Sequence, residues 1–352
     1  MIYRNTRSPQ CSEPRLFRVQ AERPLAMLRQ CPVYAPTPLQ DLTALAAELG
    51  IARFFAKDET QRMRLGSFKA LGGAFAVAQM ISDAAGGASD LMGAQAKDTA
   101  KDMTFITASA GNHGLSVAAG ARVFGAQAVI VLSASVPEGF ATRIRDLGAE
   151  VVRVEGNYED SVAEALRLAD SKTWLLLADG SWEGYVDRPA LVMEGYAVLA
   201  EECRTDFAAR GNWPTHVFLQ AGVGGLAAAV AGHIRDFWAE QPTIIVVEPE
   251  AAPCLLESVK AGRLIRAEGP ESNMGRLDCK DASLITFQSL RQDADIFTTV
   301  SDSDATASME ILARHGIATT PSGAAALAAV KRMKLSAGSR CLLIVSEGPE
   351  GE

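Results

Sequence analysis

Ala128-Val-Ile-Val-Leu132 and Ile244-Ile-Val-Val247 are continuous apolar runs, bounded by Gln127 and Ser133 and by Thr243 and Glu248. A half-buried strand alternates polar with apolar residues. A run with no polar face needs cover on both sides, which is the condition of strands in parallel sheets. Working outward from these two, strand-like segments recur at Arg53–Lys57, Thr104–Ser109, Ala128–Ser133, Glu150–Glu155, Trp174–Ala178, His216–Gln220, Thr243–Glu248 and Leu342–Ser346. Between them lie stretches with apolar residues three and four apart, such as Tyr158–Leu168 and Gly184–Glu202. That alternation predicts an α/β chain with open doubly wound sheets. Irregular motif spacing and the lack of a repeat argue against a closed eightfold barrel. Ala84 to Asp102, rich in Gly, Ala and Asp, reads as a surface excursion, and Pro36-Thr-Pro38-Leu39 as a turn leading into a helix.

The chain has 352 residues, 48% hydrophobic and 22% charged, a length that suggests about two domains. Its net charge of −8 argues against general nucleic-acid binding, which needs clustered Lys and Arg. No apolar run reaches the roughly 18 residues needed to span a bilayer. Met1 to Arg18 has no apolar signal core, so a cytoplasmic location is expected. The cysteines (Cys11, Cys31, Cys203, Cys254, Cys279 and Cys341) form no C-x-x-C pair and read as scattered free thiols. None of His113, His216, His233 and His315 has a partner at metal-ligand spacing, so no metal site is expected.

Four segments carry chemistry. In Leu65-Gly-Ser-Phe-Lys-Ala-Leu-Gly-Gly73, Lys69 sits where a loop becomes a helix. Near a helix N-terminus and partly desolvated, its pKa should fall toward the neutral amine that Schiff-base chemistry needs. Taken alone, a lysine in such a place is ordinarily a solvated surface residue. The second segment, Thr107-Ala-Ser-Ala-Gly-Asn-His-Gly114, joins a strand to a helix with a Ser/Gly/Asn turn suited to a carboxylate or phosphate. A third, Gln220-Ala-Gly-Val-Gly-Gly-Leu226, is a glycine-rich turn at a helix start, a phosphate cradle that does not complete G-x-G-x-x-G. Without that pattern a nucleotide-binding oxidoreductase is disfavoured. The last, Cys341-Leu-Leu-Ile-Val-Ser-Glu-Gly348, places Ser346 at a carboxyl strand end, where ligands of open α/β sheets collect.

In this order, with Tyr34-Ala-Pro-Thr-Pro-Leu39, Lys57-Asp-Glu59, Trp182-Glu-Gly-Tyr185 and Val247-Glu-Pro249, the segments resemble the fold-type-II pyridoxal-phosphate enzymes. That family includes serine/threonine dehydratases and tryptophan synthase β subunits, and the chain is most similar to its diaminopropionate ammonia-lyase group. The likeness runs from about Tyr34 to Glu350. It implies two α/β domains around pyridoxal 5'-phosphate, a large one from residues 1–73 plus 190–352 and a small one from 74–189, in a homodimer. It implies that Lys69 holds the cofactor as a Schiff base and moves the substrate's protons. Gly222, Val223, Gly224, Gly225 and Leu226 would bind the phosphate, Asn112 the ring hydroxyl, and Ser346 the pyridine nitrogen. A hydroxyl at that nitrogen, instead of a carboxylate, steers the chemistry toward elimination. The turn of Ser109, Ala110, Gly111 and His113 would receive the substrate carboxylate. The implied activity is α,β-elimination from a β-substituted amino acid to a 2-oxo acid and ammonia, with β-replacement or racemisation as alternatives.

Two positions depart from the lyase pattern. Those lyases carry an acid just before G-N-H-G, where this chain has Ala110. A second acid, before W-E-G-Y, is kept as Asp179, which predicts an acid/base role and a preference for one configuration at Cα. Arg276, in Asn273-Met-Gly-Arg-Leu-Asp-Cys279, stands where the lyases have a small residue. It could pair bidentately with a second substrate carboxylate, as in a 3-hydroxyaspartate.

Overall fold

The computed structural model describes residues 1–6, 14–109, 111–134 and 136–349. Its strands are β1 (Ile2–Arg4), β2 (Leu39–Asp41), β3 (Arg53–Asp58), β4 (Thr104–Ala108), β5 (Gln127–Ser133), β6 (Glu150–Val154), β7 (Leu175–Leu176), β8 (His216–Gln220), β9 (Thr243–Pro249), β10 (Ile296–Val300) and β11 (Arg340–Val345). The helices before the third chemical segment are α1 (Glu22–Leu28), α2 (Thr43–Glu48), α3 (Lys69–Ala84), α4 (Ala94–Ala100), α5 (Asn112–Phe124), α6 (Glu138–Asp146), α7 (Tyr158–Lys172) and α8 (Asp187–Arg210). Those after it are α9 (Gly225–Phe237), α10 (Cys254–Ala261), α11 (Leu284–Asp293), α12 (Asp302–Arg314) and α13 (Pro321–Arg332).

The strands form two sheets. The larger has the order β1-β10-β9-β8-β11-β3-β2, its five central strands parallel and its two edges antiparallel. The smaller, β6-β5-β4-β7, is parallel throughout. All of its strands lie between Thr104 and Leu176, whereas the larger sheet draws on both ends of the sequence.

The apolar runs behave as their composition requires. Along β9, Ile244 and Val246 enter one core cluster while Ile245 and Val247 enter another. Residues of β11 divide the same way: Leu342 and Ile344 on one side, Cys341, Leu343 and Val345 on the other. Both faces are covered, one by α9 and the other by α13. The connection leaving β8 runs over one face through α9 and the one entering β11 runs over the other through α13, and ligands of such sheets collect at the carboxyl ends of the strands.

All eight strand segments read from the sequence form strands, though Trp174–Ala178 contracts to the two residues of β7. Three further strands carry weaker signals: β1 and β2 are three-residue edges, and β10 ends in Thr-Thr-Val. The Pro36–Leu39 turn leads into β2 before it reaches a helix. The Ala84–Asp102 stretch is not wholly a surface excursion. It contains α4, whose Ala96 and Ala100 are fully buried together with Leu91.

Candidate active site

The path to Lys69 begins in a buried ionic network. Lys57 at the end of β3 bonds the Thr37 carbonyl and Glu202 Oε2, both at 2.6 Å. Arg62 meets Glu59 through Nε at 2.6 Å and Nη2 at 2.8 Å, and reaches Glu202 at 2.7 and 2.8 Å. Thr37 and Tyr34 supply further hydroxyls, Tyr34 donating to Glu202 at 3.0 Å. Lys57, Glu59 and Arg62 are fully buried. Such a cluster is tolerable only because the partners match one another's hydrogen-bonding capacity. It also holds a strained turn: Met63 (φ 49), Arg64 (φ 60) and Gly66 (φ 78) all lie in the left-handed region that side chains disfavour.

Beyond that turn the chain is zipped to the far end of the sequence. Ser67 bridges Glu347, the Phe68 amide donates to the Ser346 carbonyl at 3.0 Å, and the Gly348 amide donates to Gly66 at 2.9 Å. Lys69 follows as the first residue of α3, so it stands beside the end of β11.

The Lys69 ammonium is ion-paired with the Asp179 carboxylate in the loop after β7, with side chains 21% and 16% exposed. Burial is the largest single influence and would lower the lysine's pKa, but Asp179, Tyr196 and Cys279 together hold Lys69 well above its usual value. This reverses the sequence expectation: the desolvation is there, but the surrounding groups, Asp179 first among them, overcome it together. Burial likewise works to raise Asp179, and the charge and hydrogen bond of Lys69 hold it well below the usual carboxylate range. The Asp179 loop is fixed one residue pair on, where Ser181 Oγ and Ser283 Oγ bond at 2.6 Å at the start of α11. On its other side, Tyr185 Oη donates to the Leu176 carbonyl at 2.9 Å. The Cys279 thiol is raised to about 12, by burial and then by Asp179.

Two helix N-termini face this pair. Ser109 Oγ accepts the Gly111 and Gly114 amides at 3.0 and 2.9 Å, so the hydroxyl builds the turn that opens α5. Gly111 has φ 146, and a Cβ there would lie 2.9 Å from the Phe140 ring. Ala110 falls outside the described residues. His113 is buried with Nε2 2.8 Å from the Leu177 carbonyl, and burial lowers its pKa. The second N-terminus is that of α9. Gly224 (φ 98) caps it, and a side chain there would collide with Leu255 and Thr286 at 2.9 Å. Helix geometry leaves the Gly225 and Leu226 amides with no carbonyl one turn back. The Val223 carbonyl is held by the Ser283 amide at 3.2 Å and the Thr286 hydroxyl at 2.6 Å. Gly222 is packed so closely against Cys279, Leu277 and Arg276 that a Cβ would lie 2.9–3.2 Å from them.

At the end of β11, Ser346 is buried and its neighbour Glu347 gathers polar groups. Asn112 Nδ2 donates to Glu347 Oε2, and Thr320 Oγ1 donates to Oε1 at 2.6 Å. Arg276 Nε lies 3.8 Å from the same carboxylate, and its guanidinium stands 4.9 Å from the Phe140 ring centroid. The structure thus brings Lys69, Asp179, Ser346, Asn112, Arg276 and the α5 and α9 N-termini into one neighbourhood, linked through Phe68, Glu347, Tyr196 and Gly222.

Sequence reasoning missed Glu347, which lies inside a quoted motif but was given no role, and Tyr196, an aromatic in the apolar middle of the long helix α8. Tyr196 is 1% exposed and its hydroxyl has no hydrogen-bond partner among the described residues. Only the fold reveals it, because nothing in local sequence sets that position apart.

A family model described as pyridoxal-phosphate dependent enzyme matches residues 31–347. Diaminopropionate ammonia-lyase of Salmonella typhimurium is 34% identical over 354 residues, covering 92% of this chain and 88% of that protein. The crystal structure of Escherichia coli diaminopropionate ammonia lyase with an aminoacrylate-PLP azomethine reaction intermediate superposes with a TM-score of 0.86 at 31% identity, covering 99% of this chain and 93% of that one. The same enzyme in complex with D-serine gives a TM-score of 0.87 at 30% identity, with the same coverage.

Proposed function

The chain belongs to the pyridoxal-phosphate dependent enzyme family, and on that premise we propose an ammonia-lyase in which Lys69 and Asp179 move the protons of an α,β-elimination. The observation that carries this reading is the Lys69–Asp179 ion pair, set where strands of both sheets end. The residues present fit the cofactor. The α9 N-terminus offers amides for a phosphate, Ser346 stands at the strand end for the ring nitrogen, and Tyr196 Oη and His113 Nδ1 are buried polar atoms with partners to gain. Asn112, already oriented by Glu347, would contact the ring hydroxyl.

When bound, the cofactor supplies the electron sink that makes the Cα proton acidic. Lys69 Nζ, a neutral amine once the substrate has displaced it from the cofactor, takes that proton, and the C–H electron pair becomes the new Cα–Cβ π bond. The β-substituent leaves with its own bonding pair and needs a proton, which Asp179 can pass to it from Lys69. The Ser109–His113 turn and the α5 N-terminus orient the substrate carboxylate. Overall, one β-substituted amino acid and one water give a 2-oxo acid, ammonia and the protonated β-substituent.

Asp179 on one side of Lys69 would favour one configuration at Cα, and Arg276 on the rim would favour a substrate with a second carboxylate. One assay tests these readings: both enantiomers of 2,3-diaminopropionate and of 3-hydroxyaspartate, with no added nucleophile. Ammonia and 2-oxo acid from one enantiomer only is the expected result. Equal turnover of both would end the Asp179 reading. Racemised amino acid alone, or product only when a nucleophile is added, would favour racemisation or β-replacement instead. We further propose that residues 1–73 with 190–352 and residues 74–189 act as two lobes, and that the enzyme works as a cytoplasmic homodimer. The strand distribution between the sheets supports the lobes, and the sequence resemblance supports the assembly.

A further inference from the structure

Tyr196 lies in α8 with its ring wedged between two glycines. A Cβ at Gly72, in the first turn of α3, would sit 2.3 Å from Tyr196 Cε1 and 2.8 Å from Cζ. At Gly225, the first residue of α9, a Cβ would sit 3.5 Å from Cε2. The two ring carbons beside the hydroxyl-bearing carbon therefore face the starts of α3 and α9, and the hydroxyl lies between them. Lys69 Nζ is 5.9 Å from the ring centroid, and Phe68 packs edge-on at 4.9 Å. A buried hydroxyl with no partner costs stability that a ligand can restore. Lys69, already engaged by Asp179, is the charged neighbour of this hydroxyl, and the Gly225 contact sets the ring beside the first turn of α9, whose amides select an anion.

We propose that Tyr196 Oη donates a hydrogen bond to the cofactor phosphate at the N-terminus of α9. This rests on the reading of α9 as the phosphate site. It makes Tyr196 a cofactor-binding residue and assigns it no proton transfer. Removing the hydroxyl leaves no other protein group unpaired, so Tyr196→Phe should fold, with a melting temperature no lower than wild type once the cofactor is dialysed away.

The experiment compares wild-type and Tyr196→Phe holoenzyme, using pyridoxal 5'-phosphate and phosphate-free pyridoxal as probes. Expected results are an approximately tenfold weaker hold on pyridoxal 5'-phosphate, a displaced ³¹P resonance of the bound cofactor, and unchanged pyridoxal binding. An unchanged ³¹P line with unchanged affinity would overturn the proposal. So would equal weakening for both probes, which would place the hydroxyl on the ring or on Lys69. Wild-type enzyme that holds both probes equally would remove the phosphate reading of α9 itself, and this proposal with it. Loss of the visible cofactor band in Lys69→Ala tests the cofactor reading separately.

Discussion

The Lys57–Glu59–Arg62–Glu202 cluster and the Lys69–Asp179 pair are built from the same groups, yet the protein uses them in opposite ways. The first is fully matched. Both oxygens of Glu59 and Glu202 accept hydrogen bonds, the cations bond carbonyls as well, and none of the Lys57, Glu59 and Arg62 side chains meets water. In the second, one cation faces one carboxylate, and both keep some exposure. A saturated network resists change and so can hold the strained turn at Met63 and Arg64. A lone pair that keeps some exposure can exchange its partner for a ligand. Saturation separates scaffold from site.

The sharpest way to break this contrast is to remove the cation on each side. Lys69→Ala should lower elimination activity by about 10⁴-fold, roughly 5.5 kcal/mol on the barrier, with the protein still folded by circular dichroism. Arg62→Ala should cost about 3–5 kcal/mol of stability in a denaturant titration, because it leaves buried carboxylates uncompensated. If Arg62→Ala were the milder change to the fold, the network would not be the scaffold described here.

Glu248 offers a third case, a fully buried carboxylate whose partners are the Leu255 and Leu256 amides at 2.7 and 2.8 Å. Burial pushes it up to about 8, from an ordinary value of 4.5, with those amides opposing. The folded chain therefore keeps a proton that the unfolded chain releases. Stability should fall as pH rises from 4.5 toward about 8 and level off above. Glu248→Gln should flatten that slope in pH-dependent melting curves. The smallest effect is expected at Arg276, intermediate between scaffold and site beside Glu347. Arg276→Ala should raise KM for a dicarboxylic substrate about tenfold, about 1.4 kcal/mol, and leave a monocarboxylic one unchanged. Full activity retained on the dicarboxylic substrate would remove Arg276 from recognition.

What was legible in the sequence follows from the range of each signal. Two-face burial is written into local composition, so the runs at Ala128 and Ile244 revealed parallel strands. Glycine turns at strand ends are equally local, and the Gly111 and Gly224 positions both require positive φ. The edge strands β1 and β2 are too short to show a period, and their pairing with β10 and β3 is a long-range fact. The raised pKa of Lys69 was misread for a related reason. Its local setting speaks of desolvation, and its dominant partner lies over a hundred residues away. Tyr196 shows the same limit, since its glycine walls come from α3 and α9.

The zipper between Gly66–Phe68 and Ser346–Gly348 has a consequence in time as well as space. Lys69 acquires its neighbours at the end of β11 only when the long loop from Gly66 to Gly348 has closed, among the costliest closures in the molecule. A chain still emerging from the ribosome can complete the smaller sheet and bury much of α3, but the site has no wall at Ser346 until β11 is made. Cofactor capture therefore waits until β11 has joined β3 and β8, and that pairing serves as its checkpoint.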